Sequence, residues 1–372
     1  MISIPTKTFS AALKRVMPAV GSERRMLPVL NNVLLQVEGK ELTIAASNLS
    51  LSIKTAIAVT SSIEPVALPA KMLNDIVANL AGDVLSLDVD ALTNVGKIDC
   101  VAYHGELRGM KADEFPPMAE PEGTTITLPL ADLQRLTEAV AYAASDEAAR
   151  PVLEGILLEA KDGKLTTVAT DGHRLAASSA AVDGVADARI IAPTAEWQAA
   201  LKAMSGETIK LALTETMVHL TDGTTSASMP LISGKYPDVS AIIPCSFATQ
   251  VEVKTADLKR ALKSAKIFAR ELSNIVTITA SKQDGLKVET WETVEGRSEH
   301  DLVATVSGAD ITFAINCAFL LETANRIDSD MTLIQTNAAN KPIWVAASAD
   351  SETFAVIAPL LLAYDLFLKE SV

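Results

Sequence analysis

The chain repeats itself three times with a period of roughly 120 to 125 residues, and this triplication limits its fold more than any other feature. Each copy opens on a short alternating segment: Ile2-Ser3-Ile4, Thr125-Ile126-Thr127-Leu128 and Val251-Glu252-Val253. A helical pattern follows each opening. Its apolar positions are Phe9, Ala12, Leu13 and Val16 in the first copy, Leu133, Leu136 and Val140 in the second, and Leu258, Ala261, Leu262 and Ala265 in the third. Residues at i, i+3, i+4 and i+7 line one helical face, so each helix is predicted to bury one side. Thr6 and Thr255 stand where an N-cap hydroxyl accepts from the first free backbone N–H groups.

The next block repeats more closely. Leu27-Pro28-Val29-Leu30-Asn31-Asn32-Val33-Leu34-Leu35 matches Arg150-Pro151-Val152-Leu153-Glu154-Gly155-Ile156-Leu157-Leu158. Gly39-Lys40, Asp162-Gly163 and Asp284-Gly285 then read as turns between strands, the third copy aligning after small insertions. A second helix begins near Pro69, Pro193 and Asn316 and is predicted to run to Gly82, Gly206 and Arg326, the glycines serving as stops. Asp113-Glu114-Phe115-Pro116-Pro117 and Gly234-Lys235-Tyr236-Pro237-Asp238 mark exits toward links near 117–124 and 245–249. Two helices and several antiparallel strands per copy give an α+β chain of three tandem domains, at 1–122, 123–247 and 248–372.

With 372 residues there is room for three such domains at about 100 to 200 residues each. Apolar residues make up 49% and aromatics only 4%, so the cores are predicted to consist of Ala, Val, Leu and Ile. Three scattered cysteines, Cys100, Cys245 and Cys317, fit neither a disulfide framework nor a zinc cluster and point to a reducing cytoplasm. No basic stretch leading into a long apolar run opens the chain, so no signal peptide is expected. The longest apolar run, Phe354 to Tyr364, is broken by Pro359 and falls short of the roughly 20 residues that span a bilayer.

Charge is unevenly spread. There are 32 basic and 46 acidic residues, a net charge of -14. Yet Lys7, Lys14, Arg15, Arg24 and Arg25 cluster around Glu23 alone, and Lys254, Lys259, Arg260, Lys263, Lys266 and Arg270 around Asp257 alone. Standing alone, such runs read as solvated helix faces, but here they belong to a triplicated chain. The corresponding helix of the middle copy, with Arg135 and Glu138, is less basic.

Catalytic patterns are scarce. The four histidines, at 104, 173, 219 and 300, include no i, i+4 pair, and there is no Gly-x-Ser-x-Gly elbow, phosphate-binding glycine loop or dinucleotide fingerprint. A hydrolase built on Asp171 and His173 is therefore disfavoured. The expectation is a protein without enzymatic activity, cofactor or metal.

Ala169-Thr170-Asp171-Gly172-His173-Arg174-Leu175-Ala176 resembles the signature strand and turn of the bacterial DNA polymerase III beta sliding clamp family. Leu27-Pro28-Val29-Leu30, Gly234-Lys235-Tyr236-Pro237-Asp238 and Ala358-Pro359-Leu360 are similar to further motifs of that family, in the same order. The resemblance implies a head-to-tail homodimeric ring that encircles duplex DNA, helices lining the hole. It also implies a tether for the DNA polymerase III alpha subunit, the clamp loader, other polymerases and repair proteins through short peptides. A repeat scaffold that binds peptides without encircling DNA is the alternative.

Residue by residue, the resemblance places DNA contacts at Arg24 and Arg25, with Lys71, Lys202, Lys259, Arg260 and Lys263 on the helices. The peptide pocket takes Leu153, Leu175, Pro237, Ile242, Pro359 and Leu360 as apolar groups, with Gly172 in its turn. Thr170, His173 and Arg174 are expected as polar contacts at its margin. Ala241 stands where the family often has an arginine, a departure on the polar rim. The chain also continues from Ala363 to Val372 beyond the family's usual end, and Asp365-Leu366-Phe367 is similar to the core of the partner peptides. This tail is a candidate for occupying the pocket itself.

Overall fold

The computed structural model describes residues 1–21, 27–118, 123–182, 186–244, 246–270 and 273–360. Arg24 and Arg25, Cys245 and the tail from Leu361 onward lie outside the described residues. Two helices fall in each sequence repeat: α1 (Thr6–Val16) and α2 (Ala70–Ala78), α3 (Leu130–Val140) and α4 (Thr194–Ala203), α5 (Thr255–Ala269) and α6 (Cys317–Arg326). All the apolar helix positions read from the sequence are buried. No described helix is long and apolar enough to cross a membrane.

The chain divides into two compact units: 1–135 with 160–163 and 182–233, and 136–159 with 164–181 and 234–372. Their limits do not follow the repeats, because strand pairing crosses the repeat junctions. In the first unit one antiparallel sheet runs Thr124–Pro129, Thr208–Leu213, Met217–Thr221, Thr225–Pro230, Ser52–Ala58, Glu41–Ser47, Asn32–Glu38, Val66–Pro69 and Met110–Lys111. Second-repeat strand Thr225–Pro230 joins first-repeat strand Ser52–Ala58 in the register Ser226 to Lys54 and Ser228 to Ser52. A smaller sheet runs Ile2–Pro5, Val84–Asp90, Val95–Cys100 and Tyr103–Arg108.

The second unit is built the same way. Its long sheet includes Lys164–Thr170, Arg174–Ala181, Thr353–Ile357, Ile343–Ala346, Met331–Thr336, Thr249–Lys254 and Ala304–Gly308, in that order. Arg174–Ala181 pairs with Thr353–Ile357, again a junction between repeats. The smaller sheet runs Glu299–Leu302, Gly285–Thr290, Ile275–Ser281 and Ile311–Asn316. Here α5 packs on α6, and Leu258, Leu262 and Ala265 join Val276, Ile278, Val288, Leu320, Ile343, Val345 and Ile357 in one core.

Two local expectations are corrected. Thr6 and Thr255 are not N-caps: Pro5 and Lys254 hold those positions in extended conformation and neither side chain caps. The first N–H groups of the helices instead reach carbonyls that precede a distant strand, Thr6 N to Asp83 O at 2.9 Å, Leu130 N to Glu207 O at 3.0 Å and Thr255 N to Asp330 O at 2.9 Å. Nor do Gly82 and Gly206 end helices, since α2 and α4 stop at Ala78 and Ala203. A Cβ on Gly82 would stand 2.5 Å from Cys100 Sγ, and one on Gly206 2.9 Å from Asp222 Cβ, so close approach is what requires glycine. The turn reading holds: Gly39, Gly163 and Gly285 have φ of 62, 73 and 80 degrees.

Asp222 secures the segment after α4. Its carboxylate accepts from the backbone N–H of Ser205 at 2.7 Å, Gly206 at 3.2 Å, Thr224 at 2.9 Å and Thr225 at 2.7 Å. Partial burial works to raise its pKa, but these four donors prevail and hold it below the ordinary carboxylate value. A depressed native pKa stabilises the fold above the unfolded pKa, and that contribution is lost as pH falls through the native value. Asp222→Asn is expected to destabilise the protein by about 1 kcal/mol at neutral pH. Denaturant titrations at pH 7 and below 4 check this, the two proteins converging in acid.

Candidate functional site

Thr170, Gly172, His173, Arg174 and Leu175 of the predicted pocket form one strand end and turn in the second unit. Strands Lys164–Thr170 and Arg174–Ala181 close on Thr170 opposite Leu175. Asp171 Oδ1 accepts from His173 N at 2.8 Å and Arg174 N at 2.9 Å, an Asx turn, while Thr170 Oγ1 accepts from Gly172 N at 3.1 Å. Gly172 has φ 91 degrees, and a Cβ there would meet Arg150 Nη1 at 2.9 Å. The left-handed backbone favours glycine, while the close atom is the movable end of the Arg150 side chain.

This turn is locked to the last described strand. Ala358 N donates to His173 O at 2.9 Å, and Leu175 pairs with Val356. Pro359 and Leu360 therefore leave from beside His173, with Leu360 N reaching Ala314 O at 2.9 Å. Tyr236, before Pro237, is buried and donates its hydroxyl to Val168 O at 3.5 Å, which lays the exit segment over strand Lys164–Thr170. Leu153, Thr170 and Leu175 are buried, while Gly172, His173, Pro237, Ile242 and Leu360 are exposed and Pro359 is half-buried. Ile242 lies in the exit segment, with its N–H on Val239 O at 3.1 Å and no contact to the turn described.

Two residues expected at the polar margin have other work. Thr170 Oγ1 donates to Arg174 O, closing the turn it begins. Arg174 is committed to the protein: Nε donates to Asp171 Oδ2 at 3.0 Å, Nη2 to Tyr142 O at 2.7 Å and Nη1 to Glu322 Oε2. Its guanidinium lies 4.4 Å from the Phe319 ring centroid and 5.3 Å from that of Tyr142. Tyr142 in turn bonds Thr323 through its hydroxyl at 3.1 Å, and burial raises its pKa. The guanidinium thus ties the turn to α6. Sequence reasoning missed Tyr142, Phe319 and Glu322, whose only signal is an aromatic or acidic residue on a short amphipathic helix.

Asp171 is equally occupied with the turn and with Arg174. No His, Cys, Asp or Glu cluster able to hold a metal occurs among the described residues.

The basic residues are distributed on helix surfaces. On α5 Arg260 and Lys263 are exposed, as is Arg270 at its C-cap, and Arg260 pairs with Asp257 at 3.0 Å, an exposed contact of small worth. Lys259 is half-buried and its Nζ reaches Ile327 O at 3.5 Å, so it is less available than its neighbours. In the first unit Lys71 is exposed at the start of α2 and Lys202 at the end of α4.

This fold is that of the DNA sliding clamps. The chain superposes on the crystal structure of a DNA polymerase sliding clamp from Bacillus subtilis with a TM-score of 0.90, 22% identity and coverage of 97% of this chain and 98% of that one. For the DNA polymerase III subunit beta from Pseudomonas aeruginosa the values are 0.89, 24%, 97% and 100%. In sequence, residues 1–119, 127–238 and 240–361 match the N-terminal, central and C-terminal domains of the DNA polymerase III beta subunit. The chain belongs to that family. It is similar to the beta sliding clamps of Synechocystis sp., 28% identical over 90% of this chain and 92% of that protein, and of Pseudomonas aeruginosa, 25% identical over 94% and 96%.

Arg174→Ala is expected to lower stability by about 2–4 kcal/mol, because it strands two carboxylates and empties a slot between two rings. Arg174→Lys should recover only part of that, since an ammonium cannot reproduce the fork. Thermal unfolding of the three proteins measures both effects.

Proposed function

We propose that the protein is a DNA sliding clamp: two copies join head to tail into a ring around duplex DNA, and the surface around His173 tethers replication proteins by short peptides. The single observation that carries this reading is the ordered match of three successive clamp domains over nearly the whole chain. The proposed boundaries are 1–122, 123–247 and 248–372; the C-terminal match, which starts at residue 240, overlaps the second of them. The partners in this reading are the DNA polymerase III alpha subunit, the clamp loader, other polymerases and repair proteins. The clamp acts in the cytoplasm, without catalysis or a cofactor.

Each smaller sheet supports ring closure by ending in a strand open on one side, Tyr103–Arg108 in the first unit and Glu299–Leu302 in the second. Pairing one edge with the other on a second copy generates cyclic symmetry and removes both unpaired backbone rows. Light scattering after size exclusion tests it: a dimer mass is expected, and a monomer at micromolar concentration would count against a preformed ring.

Contact with DNA is electrostatic in this reading. Arg24, Arg25, Lys71, Lys202, Lys259, Arg260 and Lys263 are the proposed phosphate contacts, which position without reading sequence. Replacing Lys259, Arg260 and Lys263 by Ala is expected to flatten the log–log salt dependence of DNA retention by about one unit per lost contact. Circular DNA should hold the loaded protein and linear DNA release it. A peptide scaffold that does not encircle DNA would treat the two alike.

The pocket in this reading is formed by Leu153, Thr170, Gly172, His173, Arg174, Leu175, Pro237, Ile242, Pro359 and Leu360. Leu175 and Leu153 supply apolar surface, His173 a polar contact, and Thr170 and Arg174 shape.

A further inference from the structure

The long sheets of the two units follow one plan, so their faces can be compared position by position. Ser47 stands opposite Ser52 at a turn of the first unit, as Thr170 stands opposite Leu175 in the second. In the first unit Ile53, Ala227, Leu220, Leu211 and Ile126 pair in succession across five strands, and all are buried. Side chains alternate along a strand, so the residues on either side of that row point to the opposite face. They form two rows there. One is Ser52, Ser228, His219, Ala212 and Thr125, and the other is Lys54, Ser226, Thr221, Lys210 and Thr127.

In the second unit Val356, Trp344, Phe354 and Leu333 occupy the positions of Ser228, His219, Ser226 and Lys210, and Glu252 that of Thr127. The same framework thus carries apolar groups and an acid in one unit, and hydroxyls, an imidazole and two ammonium groups in the other. Neither row of the first unit holds a carboxylate, on a chain with 46 acidic residues. The carboxylates of the adjoining segments, Glu41, Glu207, Glu215 and Asp222, lie at strand ends and turns, and Asp222 is occupied by backbone N–H groups. Lys210 and Thr127 are exposed, while Lys54, Thr221 and His219 are half-buried. His219 Nδ1 lies 2.9 Å from Ser228 Oγ. Burial, and to a smaller extent Lys54, lowers the His219 pKa, so the imidazole is neutral at neutral pH.

We propose that this sheet face docks an extended acidic peptide segment of a partner protein, laid across the strands with one carboxylate at Lys54 and another at Lys210. The two lysines share a row and are three strand spacings apart, about 14 Å. An extended chain advances about 3.4 Å per residue, so carboxylates four residues apart match that span. With a net charge of -14 the body repels an acidic peptide almost everywhere, and a broad face without carboxylates is where one can land. The rows contain no aromatic ring, so they offer no platform on which the bases of a single strand could stack. Each exposed ammonium–carboxylate contact is worth little, which makes the docking weak and salt-sensitive. A carboxylate arriving beside His219 favours the imidazolium, so affinity rises as pH falls through the His219 pKa. The face lies in the first unit and is separate from the surface around His173, so its test does not depend on that reading.

The test titrates the full chain at low salt with a capped peptide that has glutamate at every fourth residue and serine between. Affinity is read by calorimetry and the His219 ring by proton NMR, its signal assigned by its loss in His219→Gln. Saturable binding is expected, with a shifted His219 signal, a raised His219 pKa in the complex and tighter binding in mild acid. Lys210→Glu, a charge reversal at an exposed side chain, should weaken binding about tenfold, and a peptide with lysine in place of glutamate should not bind. Because the ring signal is followed in otherwise unchanged protein, it locates the peptide even if a variant misfolds. Absence of binding, equal affinity in Lys210→Glu, or a His219 signal that stays put at saturation would overturn the proposal. A single-stranded oligonucleotide that shifts His219 and displaces the peptide would overturn it in favour of a nucleic-acid face.

Discussion

Two strand pairings hold this architecture together, Ser52–Ala58 with Thr225–Pro230 and Arg174–Ala181 with Thr353–Ile357. Each carries a sheet across a junction between sequence repeats. A domain that ended its sheet there would expose a row of backbone donors and acceptors, and a chain of three such domains would do so repeatedly. Continuing the ladder removes those edges and makes a repeat boundary as stiff as a repeat interior. It also explains why the compact units cut through the sequence repeats. At the first junction Thr55 and Thr225 face each other with hydroxyls 3.0 Å apart, a buried polar contact within the ladder.

The candidate site is a by-product of the second junction. The last described strand can lie beside the turn at Asp171 only because Arg174–Ala181 pairs with Thr353–Ile357, which sets Ala358 on His173 O. Arg174 then locks the turn to α6 through Glu322 and Phe319. A surface formed by a turn, a strand end and a crossing segment keeps its shape only if these three are fixed to each other. The buried guanidinium and the Tyr236 hydroxyl do that from two sides. Were the surface to take a peptide, as proposed, a preformed shape would spare the ordering cost that weakens flexible sites.

Much of this was legible in the residues. The helix faces, the glycine turns and the threefold opening appear as periodicities, because local spacing decides which side of an element is buried. The helix starts did not: Thr6 and Thr255 have the right chemistry for caps, but the bonds their helices use come from carbonyls at Asp83 and Asp330, about 75 residues away. Gly82 and Gly206 misled for a related reason, since glycine serves equally for a helix stop and for close approach, and only the partner distinguishes them. Arg174 was legible as a member of the site but not as its anchor. Its ion-pair partner Glu322 is 148 residues away, and no spacing rule connects them.

The charge distribution completes the logic. A net charge of -14 on a protein proposed to hold DNA would be self-defeating if DNA had access to every surface. Encirclement changes the requirement. A topologically trapped duplex need not be bound tightly, so in the proposed ring a few exposed cations such as Arg260 and Lys263 would suffice, and acidic residues elsewhere would disfavour binding on other faces. Phosphate contacts carry no sequence information, and each is exchanged for an equivalent one as the duplex advances. A protein with many strong contacts would resist that exchange. Sparse basic stripes on an acidic body are compatible with sliding in the proposed reading.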